Sequence, residues 1–219
     1  MSYVYMKALE KRAEKYDKGI NSITLGRLPK IKNYISSTLV HKNEKILDIG
    51  MGTGTFAILC AEKGAFFTGI DNSDKMLEVA RKNIELEGLT ERIQIIKMPV
   101  IELDKQFSDK SFDKITAILI LSELYRAEQD FCLNQIYRIL NDDGEFILVD
   151  EVKPKKIWKK IVYFVIRVPL VIITYFKSQL TTQSLKNTEK RLESHNFSLI
   201  EEKHYLLDSL KLFRLKKIT

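Results

Sequence analysis

Residues Lys45–Phe56 read KILDIGMGTGTF, and this stretch decides the fold. Lys45-Ile46-Leu47-Asp48-Ile49 has the length and apolar content of a short buried strand. It ends in Gly50, Gly52 and Gly54, and a helical stretch follows from Phe56 to Lys63. Glycines between a strand and a helix let the backbone turn sharply and approach a ligand closely. The spacing differs from the GxGxxG loop of dinucleotide folds: the third glycine comes one place early, and Thr55 stands where that pattern wants glycine. Asp48 precedes the loop by two residues. A carboxylate there repels a pyrophosphate but suits the ammonium of an amino-acid-like ligand, reached through water.

Outward from the loop, Gly64 closes the helix and Phe66–Asp71 forms a second strand. Asp71 lies 17 residues after Gly54, where a carboxylate can accept both hydroxyls of a ribose. Ser73 or Asn72 caps a helix that runs to about Glu87 and ends at Gly88. Ile93–Lys97 and Phe112–Leu121 read as strands three and four. Glu128–Leu140 reads as a helix stopped at Asn141-Asp142-Asp143-Gly144, and Glu145–Val149 as strand five. Residues 1–40 are helical in pattern, with apolar positions at Val4, Leu9, Ile20 and Ile23, a break near Gly26 and Pro29, and a second helix over Ile31–Val40. The tail returns to antiparallel character near Leu199–Tyr205 and Leu210–Leu215. Strand and helix alternate five times, which predicts an α/β fold: a parallel sheet with helices on both faces.

The 219 residues suit one domain, and four prolines and nine glycines exclude a collagen-like or Pro/Gly-rich disordered chain. Cys60 and Cys132 are too few for a disulfide framework and form no CxxC pair, which fits a reducing cytoplasm and argues against a structural zinc site. The start lacks the apolar core of a signal peptide. The net charge is +7, yet residues 152–188 hold eight basic residues and no acidic one, leaving −1 on the rest. Such a tract suits nucleic acid, an anionic membrane surface or an acidic partner protein, or serves as a solvated helix face.

The D-x-G-x-G-x-G loop at Asp48–Gly54, IDNSDKML at Ile70–Leu77, SFDKITAILILSEL at Ser111–Leu124 and RILNDDGEFILVDE at Arg138–Glu151 together resemble the class I S-adenosylmethionine (SAM) methyltransferases. These elements cover residues 45–151, about half the chain. The resemblance implies a Rossmann-like seven-stranded sheet, SAM as cofactor and S-adenosylhomocysteine as product. It implies a cofactor-binding set of Asp48, Gly50, Met51, Gly52, Gly54, Asp71, Asn72, Met76, Met98, Pro99 and Leu121. In that reading the glycines pass under the methionine part, Asp71 holds the ribose, and Asn72 and Met76 lie near the adenine. The family usually places an acid after strand three to receive the adenine amino group. Lys97-Met98-Pro99-Val100 stands there instead, so backbone groups of Met98 or Pro99 take that place.

Methyl transfer from a sulfonium needs close alignment of donor and acceptor above all, and a general base only where the acceptor must lose a proton. No metal site or triad is expected. In this fold the loop after strand four faces the methyl group, and it reads Leu121-Ser122-Glu123-Leu124-Tyr125. Glu123 is the candidate catalytic acid or base, and a helix-capping carboxylate is its alternative. Tyr16-Asp17 resembles a pair that closes over SAM in small-molecule methyltransferases, which makes Tyr16 a second candidate. Asp150 and Glu151 end strand five, where they either contact a substrate or stand exposed to solvent. A DPPY-like motif of amino-methylating DNA enzymes is missing after strand four, which excludes that class of nucleic-acid acceptor.

The expected organisation is a single domain over residues 1–219, with a helical N-terminal cover at 1–44 and a basic, apolar lid at 152–188. The lid's uncharged runs, Ile161–Ile166 and Val168–Phe176, are interrupted by Arg167 and Pro169 and are too short to span a bilayer. Its Trp158, Tyr163, Phe164, Tyr175 and Phe176 suggest a greasy substrate, a partner protein or peripheral membrane contact through 153–177. The opening YMKALEKRAEKYDKGI, KMPVIELD, SEL and DEVKP look most like the methyltransferases associated with corrinoid proteins, which implies a corrinoid protein or its cofactor as partner. The leading expectation is therefore methyl transfer to a non-nucleic-acid acceptor in corrinoid metabolism, in the cytoplasm. A quinone-ring or lipid methyltransferase at a membrane surface is the alternative enzyme, and a non-catalytic SAM-binding partner of a corrinoid protein the alternative from another class.

Overall fold

The computed structural model describes residues 13–154, 156–159, 161, 165, 185 and 187–218. Five parallel strands form one side of the sheet: β1 (Lys45–Ile49), β2 (Phe66–Asp71), β3 (Ile93–Lys97), β4 (Phe112–Ile118) and β5 (Leu140–Glu151). The antiparallel strands β6 (Phe197–Tyr205) and β7 (Leu210–Lys217) complete a seven-stranded sheet in the order β3-β2-β1-β4-β5-β7-β6. The order reverses between β1 and β4, and a crevice opens at such a point beyond the carboxyl ends of the strands.

The strands are buried on both sides because their residues alternate between two apolar clusters. On β1, Ile46 packs on one face while Leu47 and Ile49 pack on the other. On β5, Ile147 and Val149 share the first face, and Phe146 and Leu148 the second. The first face is covered by α1 (Tyr16–Ile23), α2 (Arg27–Tyr34), α3 (Thr55–Glu62) and α4 (Asp74–Leu86), through Ile20, Leu28, Ile31, Phe56, Leu77 and Ile84. After the short α5 (Leu103–Gln106), α6 (Arg126–Ile139) and α7 (Thr188–Ser194) cover the second face through Leu133, Ile136 and Leu192. Fully burying one such side chain is worth about 1.5–3 kcal/mol, so the two clusters dominate stability.

The structure moves several expected boundaries. Pro29 sits inside α2, not at a break, because an N–H in the first helical turn has no intrahelical partner to lose. That helix ends at Tyr34 and passes into a π turn over Ile35–Leu39, in place of one helix over Ile31–Val40. Strand β4 stops at Ile118 because Leu119 turns left-handed at φ 59°. Strand β5 starts at Leu140, which pairs with Phe112 across an irregularity in register. Gly144 is therefore in a strand, and it is required by space: a Cβ there would stand 2.7 Å from Leu140 Cδ1 and 2.9 Å from the Asp113 carbonyl. Cys60 and Cys132 are both buried and unbonded.

Of the N-terminal cover, residues 1–12 with Val4 and Leu9 lie outside the described residues. Of the lid, Tyr163, Phe164, Arg167, Pro169, Tyr175 and Phe176 do so too. Val152 and Leu185 bridge side by side, and Leu185 N–H donates to the Glu151 carbonyl at 3.0 Å, so the insertion leaves and rejoins the sheet at one place. Among the described residues, no helix is long and apolar enough to cross a membrane.

Candidate functional site

The glycine loop is tied to the strand beside it. The N–H groups of Gly50 and Met51 both donate to the Ile70 carbonyl at the end of β2, at 2.9 and 3.0 Å. Gly50, Gly52 and Gly54 all have positive φ, a region costly for residues with a side chain. A Cβ on Gly50 would meet the Ile120 side chain at 3.0 Å, and one on Gly54 would meet Ala80 at 3.2 Å. At Gly52 a Cβ would meet nothing within 4 Å, so the loop's backbone is bare and open on that side.

Asp71 joins the loop to the next helix. Its Oδ2 accepts from Gly52 N–H and its Oδ1 from Ser73 N–H, both at 2.9 Å. Burial pushes this carboxyl above its ordinary range, while the backbone N–H groups of Ser73, Gly52 and Asn72 pull it back down. Each oxygen keeps a second lone pair for a further donor. Ser73 then caps α4, accepting from Met76 N–H. The β3–α5 connection returns beside this point, with Met98 N–H donating to the Asp71 carbonyl at 3.1 Å.

A cavity of about 520 Å³ opens here, at the carboxyl ends of β1 to β4. Gly50, Asp71, Asn72 and Ser73 line one wall, Met98, Pro99, Val100 and Ile101 another. Ile120, Glu123, Leu124, Tyr125 and Glu128 close the third. The volume falls within the roughly 300–1,000 Å³ of small-molecule pockets. That third wall is set by strain and a buried acid. Leu119 turns the chain at the end of β4, its N–H donating to the Val149 carbonyl at 2.7 Å. Asp150, fully buried at the end of β5, accepts from Ser122 N–H at 3.0 Å and Glu151 N–H at 2.6 Å, and burial pushes its carboxyl up to about 6. Asp150 is thus a brace for the loop carrying Glu123, not a group facing the cavity.

Beneath the glycine loop lies a polar layer. Asp48 is buried on the same sheet face as α2, and its Oδ1 accepts from Thr116 Oγ1 at 2.5 Å. Burial pushes it up to about 7, against the pull of that hydroxyl and of Lys32. Lys32 donates to Thr55 Oγ1 at 2.9 Å; burial lowers its pKa, and Asp17 and Asp48 raise it. Thr53 donates to the Asp17 carboxylate at 2.9 Å, and its carbonyl accepts from Asn83 Nδ2 at 3.0 Å. The loop is therefore pinned from α1 above and α4 beside it.

The structure gathers Gly50, Asp71, Asn72, Met98, Pro99 and Glu123 around one cavity. Gly52 and Gly54 shape the loop beside it. Asp48, Met51, Met76 and Leu121 are not among the cavity's lining residues. The Met51 side chain packs against Gly69, Met76 is buried behind its helix cap, and Leu121 is buried in the second apolar cluster. Tyr16 is partly buried against the first cluster and is not among the cavity's lining residues. Lys97 turns away, pairing with Asp74 at 2.5 Å. Sequence reading missed Lys32, Thr53, Thr116 and Glu128; the first three show only through partners distant in sequence, whereas Glu128 sits five residues after Glu123 on the helix that follows.

The fit to a SAM-like ligand can be judged from this geometry. A bare loop backbone at Gly52, a carboxylate with spare lone pairs, and apolar surfaces from Ile70, Met98 and Val100 suit an amino-acid chain, a ribose diol and an aromatic base. The family described as "Methyltransferase domain" matches residues 40–204. The demethylmenaquinone methyltransferase of Tropheryma whipplei (strain Twist) is 32% identical over 117 residues, 53% of this chain and 46% of that protein. The ubiquinone/menaquinone biosynthesis C-methyltransferase of Pseudoalteromonas translucida is 34% identical over 149 residues, 65% of this chain and 57% of that protein. The chain thus spans about half the length of the curated relatives it matches. Among solved structures, the PH0226 protein of Pyrococcus horikoshii OT3 superposes with a TM-score of 0.69 at 18% identity, over 88% of this chain and 91% of that one, a likeness of fold.

Proposed function

The chain belongs to the class I SAM-dependent methyltransferase family, and from that premise we propose that it methylates the ring of a lipophilic quinol. The observation that carries the cofactor part is Asp71, held by Gly52 and Ser73 N–H at the wall of the 520 Å³ cavity. SAM, when bound, supplies an electrophilic methyl group. Asp71 would accept the ribose hydroxyls, Met98 and Pro99 with Asn72 would flank the base, and the Gly50–Gly54 backbone would underlie the amino-acid portion. Asp48, with its carboxyl raised to about 7 by burial, lies behind that loop.

For the acceptor, support comes from the relatives named above and from the apolar residues Ile101, Leu124 and Tyr125 around the cavity. A hydroquinone would become a carbon nucleophile as its ring hydroxyl gives a proton to a Glu123 carboxylate oxygen; the ring carbon would take the methyl group as the methyl–sulfur bond breaks and S-adenosylhomocysteine leaves, and loss of that carbon's hydrogen as a proton would restore the aromatic ring. Asp150 holds that loop in place through Ser122. A corrinoid acceptor or partner, expected from short segments of sequence, draws no support from these relatives.

The test is methyl transfer from labelled SAM to a reduced short-chain naphthoquinone. The wild type is expected to give a singly methylated ring, and Glu123→Gln to lower kcat about 10²–10⁴-fold with SAM affinity kept. Transfer to no quinol at all, with SAM still bound, would overturn this reading in favour of a non-catalytic SAM-binding subunit.

A further inference from the structure

An unusual surface lies on the described part of the insertion after β5. Ile157, Trp158, Ile161 and Val165 each have helical backbone, at a spacing that would place them within an arc of about 100° of an unbroken helix. A helix on a globular surface ordinarily turns such a stripe inward. Here all four are exposed, at 76%, 55%, 59% and 67%. Lys159, next to Trp158, is instead fastened inward: its Nζ pairs with Asp208 in the β6–β7 turn at 2.5 Å, with both side chains largely buried. The apolar stripe is held outward by an ion pair on the inner side.

We infer that this face docks on an anionic lipid surface. The charge around it selects the occupant. Lys153 and Lys156 beside the stripe are exposed, and in sequence the whole insertion, 152–188, holds eight cations and no anion. Apolar side chains flanked by lysines, with a Trp among them, match the layered polarity of a bilayer whose headgroups are anionic. A second copy of the chain offers little to neutralise such a tract, since the rest of the sequence carries a net −1. The surface also has the right position. The insertion leaves from the carboxyl end of β5, the same edge of the sheet as the cavity, and exposed Leu207 adjoins Asp208 there. Ile101 and Tyr125, both exposed, stand at the cavity wall on that edge. Docking would bring the cavity to the membrane, where a lipophilic acceptor resides; the docking itself does not depend on which acceptor is used.

Trp158 is the sole tryptophan of the chain, so its fluorescence reports on this face alone. The full chain is mixed with vesicles of phosphatidylcholine, with and without phosphatidylglycerol, and followed by flotation and Trp158 emission. The expected result is binding to the anionic vesicles, a blue shift, and quenching by a lipid-borne quencher. Ile157→Ser with Ile161→Ser should lower the bound fraction roughly tenfold or more, and Lys153→Gln with Lys156→Gln should weaken binding and its salt dependence. Each pair is exposed, and unchanged circular dichroism and SAM affinity confirm an intact fold. Unchanged Trp158 emission with vesicles, or variants that bind like the wild type, would overturn the inference. So would a dimer in size exclusion that the isoleucine pair abolishes without any vesicle binding, which would assign the face to a second copy. Turnover of a soluble short-chain quinol is read separately, so loss of docking is not confused with loss of the proposed reaction.

Discussion

Two glycines near the cavity are constrained for different reasons, and substitution separates them. Gly69 has ordinary strand geometry, yet a Cβ there would stand 2.3 Å from the Met51 sulfur. Gly69→Ala is expected to cost about 1–3 kcal/mol by overpacking and to leave SAM affinity unchanged in the folded fraction. Gly52 has φ 58° and open space beyond it. Gly52→Ala is expected to cost only about 1–2 kcal/mol from backbone strain, yet to weaken SAM binding tenfold or more, because the strain falls on the residue whose N–H holds Asp71 at the cavity wall. Urea denaturation paired with calorimetry distinguishes the two.

Asp48 adds a pH dependence. Its folded-state pKa is raised, from the ordinary 3.8 to about 7. The folded protein therefore binds this proton more tightly than the unfolded chain. The resulting stability is complete below about pH 3.8 and is lost as pH rises through about 7. Asp150, raised to about 6, acts in the same direction. Without ligand, the melting temperature is expected to fall between pH 5 and 8, and Asp48→Asn to remove a part of that fall on the order of 2 kcal/mol, roughly 4–8 °C. A variant that melts with the wild-type pH profile contradicts this.

At the scale of elements, the two ends of the strands serve different purposes. The carboxyl ends make the cavity; the amino ends are locked by charge. Lys114 on β4 is buried and pairs with Glu44 at 3.1 Å and Glu145 at 3.8 Å, while Arg214 on β7 grips Glu145 with two hydrogen bonds. Lys114→Ala takes the cation from part-buried Glu44 and leaves Glu145 to Arg214 alone, and is expected to cost about 3 kcal/mol. Lys97→Ala, which breaks the exposed pair with Asp74, should cost less than about 1 kcal/mol. Equal losses in denaturant titrations would contradict the assigned roles.

The legibility of the sequence follows the same division. β2 and β3 could be bounded from sequence, because Gly64, Asp71 and the apolar runs punctuate them locally. The start of β5 could not, since Asn141–Gly144 carries turn residues but is drawn into the sheet by pairing with β4. The glycine loop, Asp71 and Glu123 were readable as a pattern. Lys32, Thr116 and Lys114 were not, because their partners lie 23 to 70 residues away and leave no local periodicity.

For the whole molecule, one edge of a seven-stranded sheet carries the cavity, the strained Leu119 turn, and the root of the basic insertion. The other edge and the two apolar faces hold that edge rigid. Calorimetric titration of SAM and S-adenosylhomocysteine into wild type and Asp71→Ala shows whether this cavity binds SAM through Asp71. The wild type is expected to bind with micromolar affinity and the variant to lose tenfold or more, on the order of 1.4 kcal/mol at least, with the fold intact. Absent binding by the wild type, or equal binding by both proteins, would contradict this.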